Sequence, residues 1–207
     1  MKNIHALSFD ESMVEGWFKA DDTESGVGWI DNKDRPANII MKDFNAFPFP
    51  YVFEHASLFK LRQHWRNDIN RDGGGLVSCD LITVAGILSC KVLGKWPMKP
   101  TGMAYFSWIV VPLESCHFKL HARAFEVGMT GIRDAVVLAK LQADGTLKMS
   151  PGNPFAGWAK DPYEPLTQFP LMPNLSEDPK YDFEFPDHPL SRCRKFLARL
   201  ERSAEIN

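Results

Sequence analysis

The stretch from Leu76 to Glu126 carries one strand pattern after another, and it limits the fold more than any other part of the chain. Leu81-Ile82-Thr83-Val84 and Ile87-Leu88-Ser89-Cys90-Lys91-Val92 flank Ala85-Gly86, the arrangement of a hairpin with a two-residue turn. With that turn, Leu81 pairs with Cys90, and Cys79 lies diagonally on the same face. Met103 to Leu113 reads as a third strand. Cys116 to Glu126 is a fourth and alternates most cleanly. There Phe118, Leu120, Ala122 and Ala124 point one way, and His117, Lys119, His121 and Arg123 the other.

Around this block lie fewer regular signals. Gly26-Val27-Gly28-Trp29 reads as a turn into a short strand, and Ala37 to Phe44 as another, broken by Pro48 and Pro50. Glu54 to Ile69 predicts a helix with Leu58, Leu61, Trp65 and Ile69 as its apolar stripe, ended by Gly73-Gly74-Gly75. Thr130 to Gln142 fits a helix capped by Thr130 and carrying Ile132, Val136 and Leu138. It also fits a strand over Val136–Leu141, paired through Asp144-Gly145 with Thr146–Met149; the helix is the reading carried forward.

Nine of the fifteen prolines fall within 150–189, interleaved with Phe155, Trp158, Tyr163, Phe169, Tyr181, Phe183 and Phe185. A disordered linker lacks such rings, so this is expected to be an ordered arm laid along the domain. A last helix, Asp187 to about Ser203, carries Leu190, Cys193, Leu197 and Leu200 on one stripe and Arg192, Lys195, Arg199 and Arg202 on another, with Asp187 as cap. The expected fold is α+β: an antiparallel sheet with a long helix packed on one face, a Pro/aromatic arm and a terminal helix. Residues 1–149 form the sheet domain, and 150–207 pack on it as part of the same domain.

At 207 residues, with 44% hydrophobic content, the chain buries enough surface to fold without disulfide or metal. A net charge of −2 excludes a general attraction to nucleic acid or anionic membrane. No apolar run suits a signal peptide or a membrane span, which points to the cytoplasm. Cys79, Cys90, Cys116 and Cys193 show no zinc spacing and are expected as free thiols.

Two groups of residues are candidate sites. His117, Lys119, His121 and Arg123 make a cationic sheet face, either a solvated surface or a site for an acidic partner. His117 and His121 stand about 13 Å apart along the strand, too far to share a zinc ion. The second group lies in the loop Glu126–Asp134. There Gly128, Thr130 and Gly131 before a helix offer amide donors to a small anion, with Arg133 and Glu126 beside them. The plain alternative is a tight strand-to-helix corner. No Gly-x-Ser-x-Gly and no paired nucleophile and base are readable, so the reading leans away from an enzyme and calls for no cofactor and no metal.

The helix Glu54–Ile69, the turn within Thr83-Val84-Ala85-Gly86-Ile87-Leu88 and the strands Tyr105–Val111 and Phe118–Phe125 resemble, in their order, the Mog1/PsbP/DcrB-like fold. The likeness covers about residues 36–142, where that family has a similar V-x-G-x-x hairpin after its helix. It implies an antiparallel sheet with helices on one face and a binding or accessory role. Members include photosystem accessory proteins, a small-GTPase partner and chaperones of secreted effectors. No catalytic residue carries over. The expected function is therefore non-enzymatic binding of another protein, through the cationic face or a groove beside the arm. A toxin-immunity inhibitor is a special case of it, a small-anion binder or enzyme at 126–134 is the alternative, and self-association is open.

Overall fold

The protein is described by a computed structural model over residues 4–31, 33, 38–148, 155–164 and 167–207. Ala37, the arm's opening residues 150–154, Pro165 and Met149 lie outside the described residues. Short strand β1 (Leu7–Ser8) precedes β2 (Phe18–Asp22), β3 (Gly26–Asp31) and β4 (Asn38–Asn45). A 3-10 turn at His55–Ser57 leads into helix α1 (Leu58–Arg71), and a meander follows: β5 (Gly75–Val84), β6 (Ile87–Pro97), β7 (Met103–Pro112) and β8 (His117–Phe125). Helix α2 (Ile132–Ala143), the arm, helix α3 (Pro189–Ser203) and β9 (Glu205–Ile206) complete the chain.

The seven-stranded sheet runs β2-β3-β4-β8-β7-β6-β5, and every neighbouring pair is antiparallel. The hairpin turn is where the sequence puts it. Ala85 and Gly86 both take positive φ (48° and 79°), the two-residue turn whose twist matches the strands. Leu81 pairs with Cys90 as expected, and the Cys79 and Cys90 sulfurs lie 3.6 Å apart as buried free thiols. Residues 132–143 are helical, which resolves the open choice in that segment.

Helix α1 ends as the triple glycine requires. Gly73 adopts φ 76°, and the Gly74 amide donates to Ile69 O at 2.9 Å. Leu61, Trp65 and Ile69 bury their stripe against Cys79, Cys90, Val92 and Val110. α3 packs on the opposite face through Leu190, Cys193, Leu197 and Leu200, all at most 2% exposed. Helices therefore lie on both faces, one more than the family resemblance implied. The α3 cap is His188, whose Nδ1 accepts from the Leu190 amide at 3.2 Å; Asp187 stands one residue too early. β2 and the β1–β9 pair, which ties the two chain ends together, carry too few apolar residues to be seen in the sequence.

The arm folds back onto its own chain and covers the edge strand β5. Asp161 accepts two 2.9 Å bonds from Arg66 of α1, and Glu164 accepts a third at 2.6 Å. Arg66 and Asp161 are 3% and 2% exposed. The Tyr163 hydroxyl accepts the outward amide of Cys79 at 2.7 Å, while Arg62 donates to the Cys79 carbonyl and stacks 3.6 Å over the Tyr163 ring. An unpaired strand edge is thus closed by side chains. Replacing Asp161 by Ala leaves a guanidinium buried without its main partner and is expected to cost about 3–5 kcal/mol in urea unfolding. The double change Arg66→Met with Asp161→Leu is expected to cost much less. A loss below about 1 kcal/mol for Asp161→Ala contradicts this role.

Candidate functional site

Each strand of the sheet center has one sealed face. On the α3 side, Phe118, Leu120, Ala122 and Ala124 of β8 and Ile40 of β4 are fully buried, and Val27 and Trp29 of β3 are 5% exposed. The opposite face is covered unevenly. Trp65 of α1 stacks on Trp108 at 5.7 Å, and Phe49 packs on Trp65 and on His117. This cover stops at β7 and the near end of β8. Among the described elements no α-helix makes extensive contact with β2, β3 or β4.

Strand register shows what the open half contains. Phe18, Ile30, Ile39, Arg123 and Phe106 lie side by side across five strands. In the next row stand Asp21, Gly28, Met41 and His121; in the third, Gly26, Asp43 and Lys119. Phe18 is 63% exposed, and Ile30, Ile39 and Met41 are half-buried. Gly26 and Gly28 give β3 no side chains here, so the floor stays low.

The cationic face of β8 is thus only partly what the alternation suggested. His117 (8% exposed) and His121 (4%) are not on a solvated surface, because aromatic rings and the 46–53 segment lie over that face as well. His117 Nδ1 donates to Phe47 O at 2.9 Å, and burial holds its pKa below the ordinary value. His121 Nε2 donates to Asp43 at 2.9 Å. Lys119 and Arg123 remain half-exposed. Lys119 lies 5.9 Å from the Trp65 ring and Arg123 5.0 Å over Phe106; neither has a carboxylate within ion-pair reach among the described residues.

The loop at 126–134 is a corner whose polar groups are already engaged. Gly128 and Gly131 take φ 71° and 73°, conformations that favor glycine. Gly131, not Thr130, occupies the cap position of α2, and Thr130 Oγ1 meets Thr101 Oγ1 at 3.2 Å instead. The Gly131 amide donates to Glu126 Oε1 at 3.0 Å, and the Met103 amide to Glu126 Oε2 at 2.7 Å. Glu126 therefore fills the place intended for an anion, and its own charge repels one.

Arg133 does not face this loop with a free guanidinium. It is 1% exposed and bonds Ser176 O, Ser191 Oγ and Asp178 O, with Asp182 at 2.9 Å. It joins α2 to the arm and α3. His188, 3.3 Å from Glu126, has both ring nitrogens occupied, one by its cap bond. At the thiols, the bond between Cys79 and Cys90 and burial raise the Cys79 pKa, and burial pushes Cys193 up to about 12.

Sequence reasoning missed Phe18, Ile30, Ile39, Met41 and Asp43. Ile39 and Met41 alternate with Ile40 and Lys42, so β4 shows no contrast between its faces, and β2 was not seen as a strand. The one available signal was the Gly-x-Gly of β3, which marks a stretch of face without side chains.

No protein-family model and no curated protein matches the chain. Solved structures similar to it include the following two. One is the Saccharomyces cerevisiae Ran-binding protein Mog1p, with 7% identity and a TM-score of 0.48, covering 100% of this chain and 96% of that one. The other is a Pseudomonas aeruginosa protein of unknown function, with 12% identity and a TM-score of 0.37, covering 64% and 88%. Mog1p gives its name to the fold that the element order resembles.

Burial disfavors the charge of Glu126, but bonds from His188, Gly131 and Met103 outweigh it and hold the carboxyl below the ordinary 4.5. A depressed carboxyl stabilizes the fold above its unfolded value and loses that contribution as acid protonates it. Glu126→Gln is expected to cost about 1–2 kcal/mol at neutral pH, measured by denaturant unfolding. The gap from the parent is expected to shrink as the pH falls below 4.5 and through the lowered folded-state value. A gap that persists unchanged into acid contradicts the assignment.

Proposed function

We infer that this chain is a protein-binding module, adaptor- or chaperone-like, that holds a partner against the open half of the sheet. The observation that carries this reading is the contrast between two faces of the same strands. On one, Val27, Trp29, Ile40, Phe118, Leu120 and Ala122 are 0–5% exposed; the other leaves Phe18 63% exposed and Ile30, Ile39 and Met41 half-buried. Apolar surface gathered on a rigid sheet favors association, because its burial releases ordered water.

The charges at its edge specify the partner further. Arg123 and Lys119 have no carboxylate partner in the described chain, and Arg123 Nε is buried without a hydrogen bond there. A partner segment that brings apolar side chains to Ile39 and Met41 and a carboxylate to Arg123 satisfies both. An inhibitor that masks an acidic toxin surface is one form of such a partner, and a second copy of this chain is another.

The test uses the tagged full chain beside Arg123→Glu and Ile39→Asp, with captured proteins quantified from native lysate. The parent is expected to hold one stoichiometric protein. Each variant is expected to lose at least about tenfold of it, with an unchanged melting temperature. Equal capture by the parent and both folded variants contradicts the assignment of this surface.

A further inference from the structure

On the α3 side of the sheet edge, away from the open half-face, the arm does not close against the strands. A cavity of about 610 Å³ remains there. Its floor is Val77 and Leu93 of the sheet and Leu197 of α3, each at most 6% exposed. Its wall is the arm, through Trp158, Tyr163 and Leu175. The volume falls in the range of about 300–1,000 Å³ typical of small-ligand sites.

The wall is fixed in place. Two passes of the arm pair with each other, Leu175 N to Trp158 O and Lys160 N to Pro173 O, both at 3.0 Å. The Tyr163 hydroxyl is tied to the Cys79 amide, and the Arg66–Asp161 pair anchors the segment between them. A site formed before its ligand arrives avoids the entropy cost of ordering its walls.

Charge defines what suits it. Every carboxylate of the lining is matched: Asp80 by Arg62 at 3.2 Å, Glu177 by Lys95 at 2.8 Å and Asp178 by Lys180 at 3.5 Å. Lys91 is matched by Glu201, and Arg194 shares Asp182 with Arg133. Lys160, exposed in the lining, has no ion pair among the described residues. The interior is therefore largely apolar with an excess of positive charge, and Lys160 stands without an ion pair among the described residues where it meets solvent. We propose that this cavity binds a small molecule with a flat apolar body and a single anionic group. The body lies against Trp158 and Leu93, and the anion pairs with Lys160.

The probe is 8-anilinonaphthalene-1-sulfonate, titrated by fluorescence into the native full-length chain. One saturable site is expected. Ala198→Trp, which fills the cavity from α3, and Lys160→Glu are each expected to weaken binding at least about tenfold. Ile39→Asp, on the other face of the sheet, is expected to leave it unchanged, which separates this site from the partner surface. Should Ala198→Trp not fold, Trp158→Ala takes its place with the same expectation. Absence of saturable binding, binding unaffected by the cavity variants, or equal loss in Ile39→Asp overturns the proposal.

Discussion

The guanidinium of Arg66 is buried inside the structure, and much of the molecule is arranged to neutralize it. Desolvating a charge of that kind is tolerated when partners meet it with good geometry, and Asp161 and Glu164 do so with three bonds. Both acids come from the arm, ninety-five and more residues further along the chain. The Pro-rich segment is therefore fixed beside α1. Tyr163 then falls on the Cys79 amide, and the sheet edge at β5 is closed. A second buried guanidinium, Arg133, does the same for α2, the arm and α3.

With that edge closed and α3 covering one face except at the cavity beneath the arm, the broad accessible apolar surface of the sheet lies on the other face, beyond the reach of α1. Trp65, Trp108 and Phe49 fill the covered part, and Ile30, Ile39 and Met41 occupy the uncovered part. The far edge strand β2 is short, bulged between Lys19 and Asp21, and charged, features that discourage indiscriminate strand pairing. A partner is then directed to the face rather than to the edge.

The sequence announced those features that local chemistry decides. Ala85-Gly86 specified its turn, Gly73-Gly74 its helix end, and the spacing of Leu61, Trp65 and Ile69 a buried stripe. The alternation of β8 was legible, but the meaning of its polar face was not. A row of His, Lys and Arg looks the same whether it meets water or a layer of aromatic rings, and that layer comes from Phe49, Trp65 and Trp108 on other elements. Arg133 misled for the same reason: its four partners lie 43 to 58 residues away. The corner at 126–134 was correctly read as glycine-rich, yet its anion is the chain's own Glu126.

The hydrogen bonds of Asp161, Tyr163 and Glu164 make the arm a fixed wall of the fold and not a mobile binding limb. Amide hydrogen exchange on the native full-length chain tests it most directly. The amides of Cys79, Tyr163 and Glu164, each hydrogen-bonded within this junction, are expected to exchange as slowly as those of β6 and β7. Exchange of these three amides within seconds, while β6 and β7 stay protected, would contradict it.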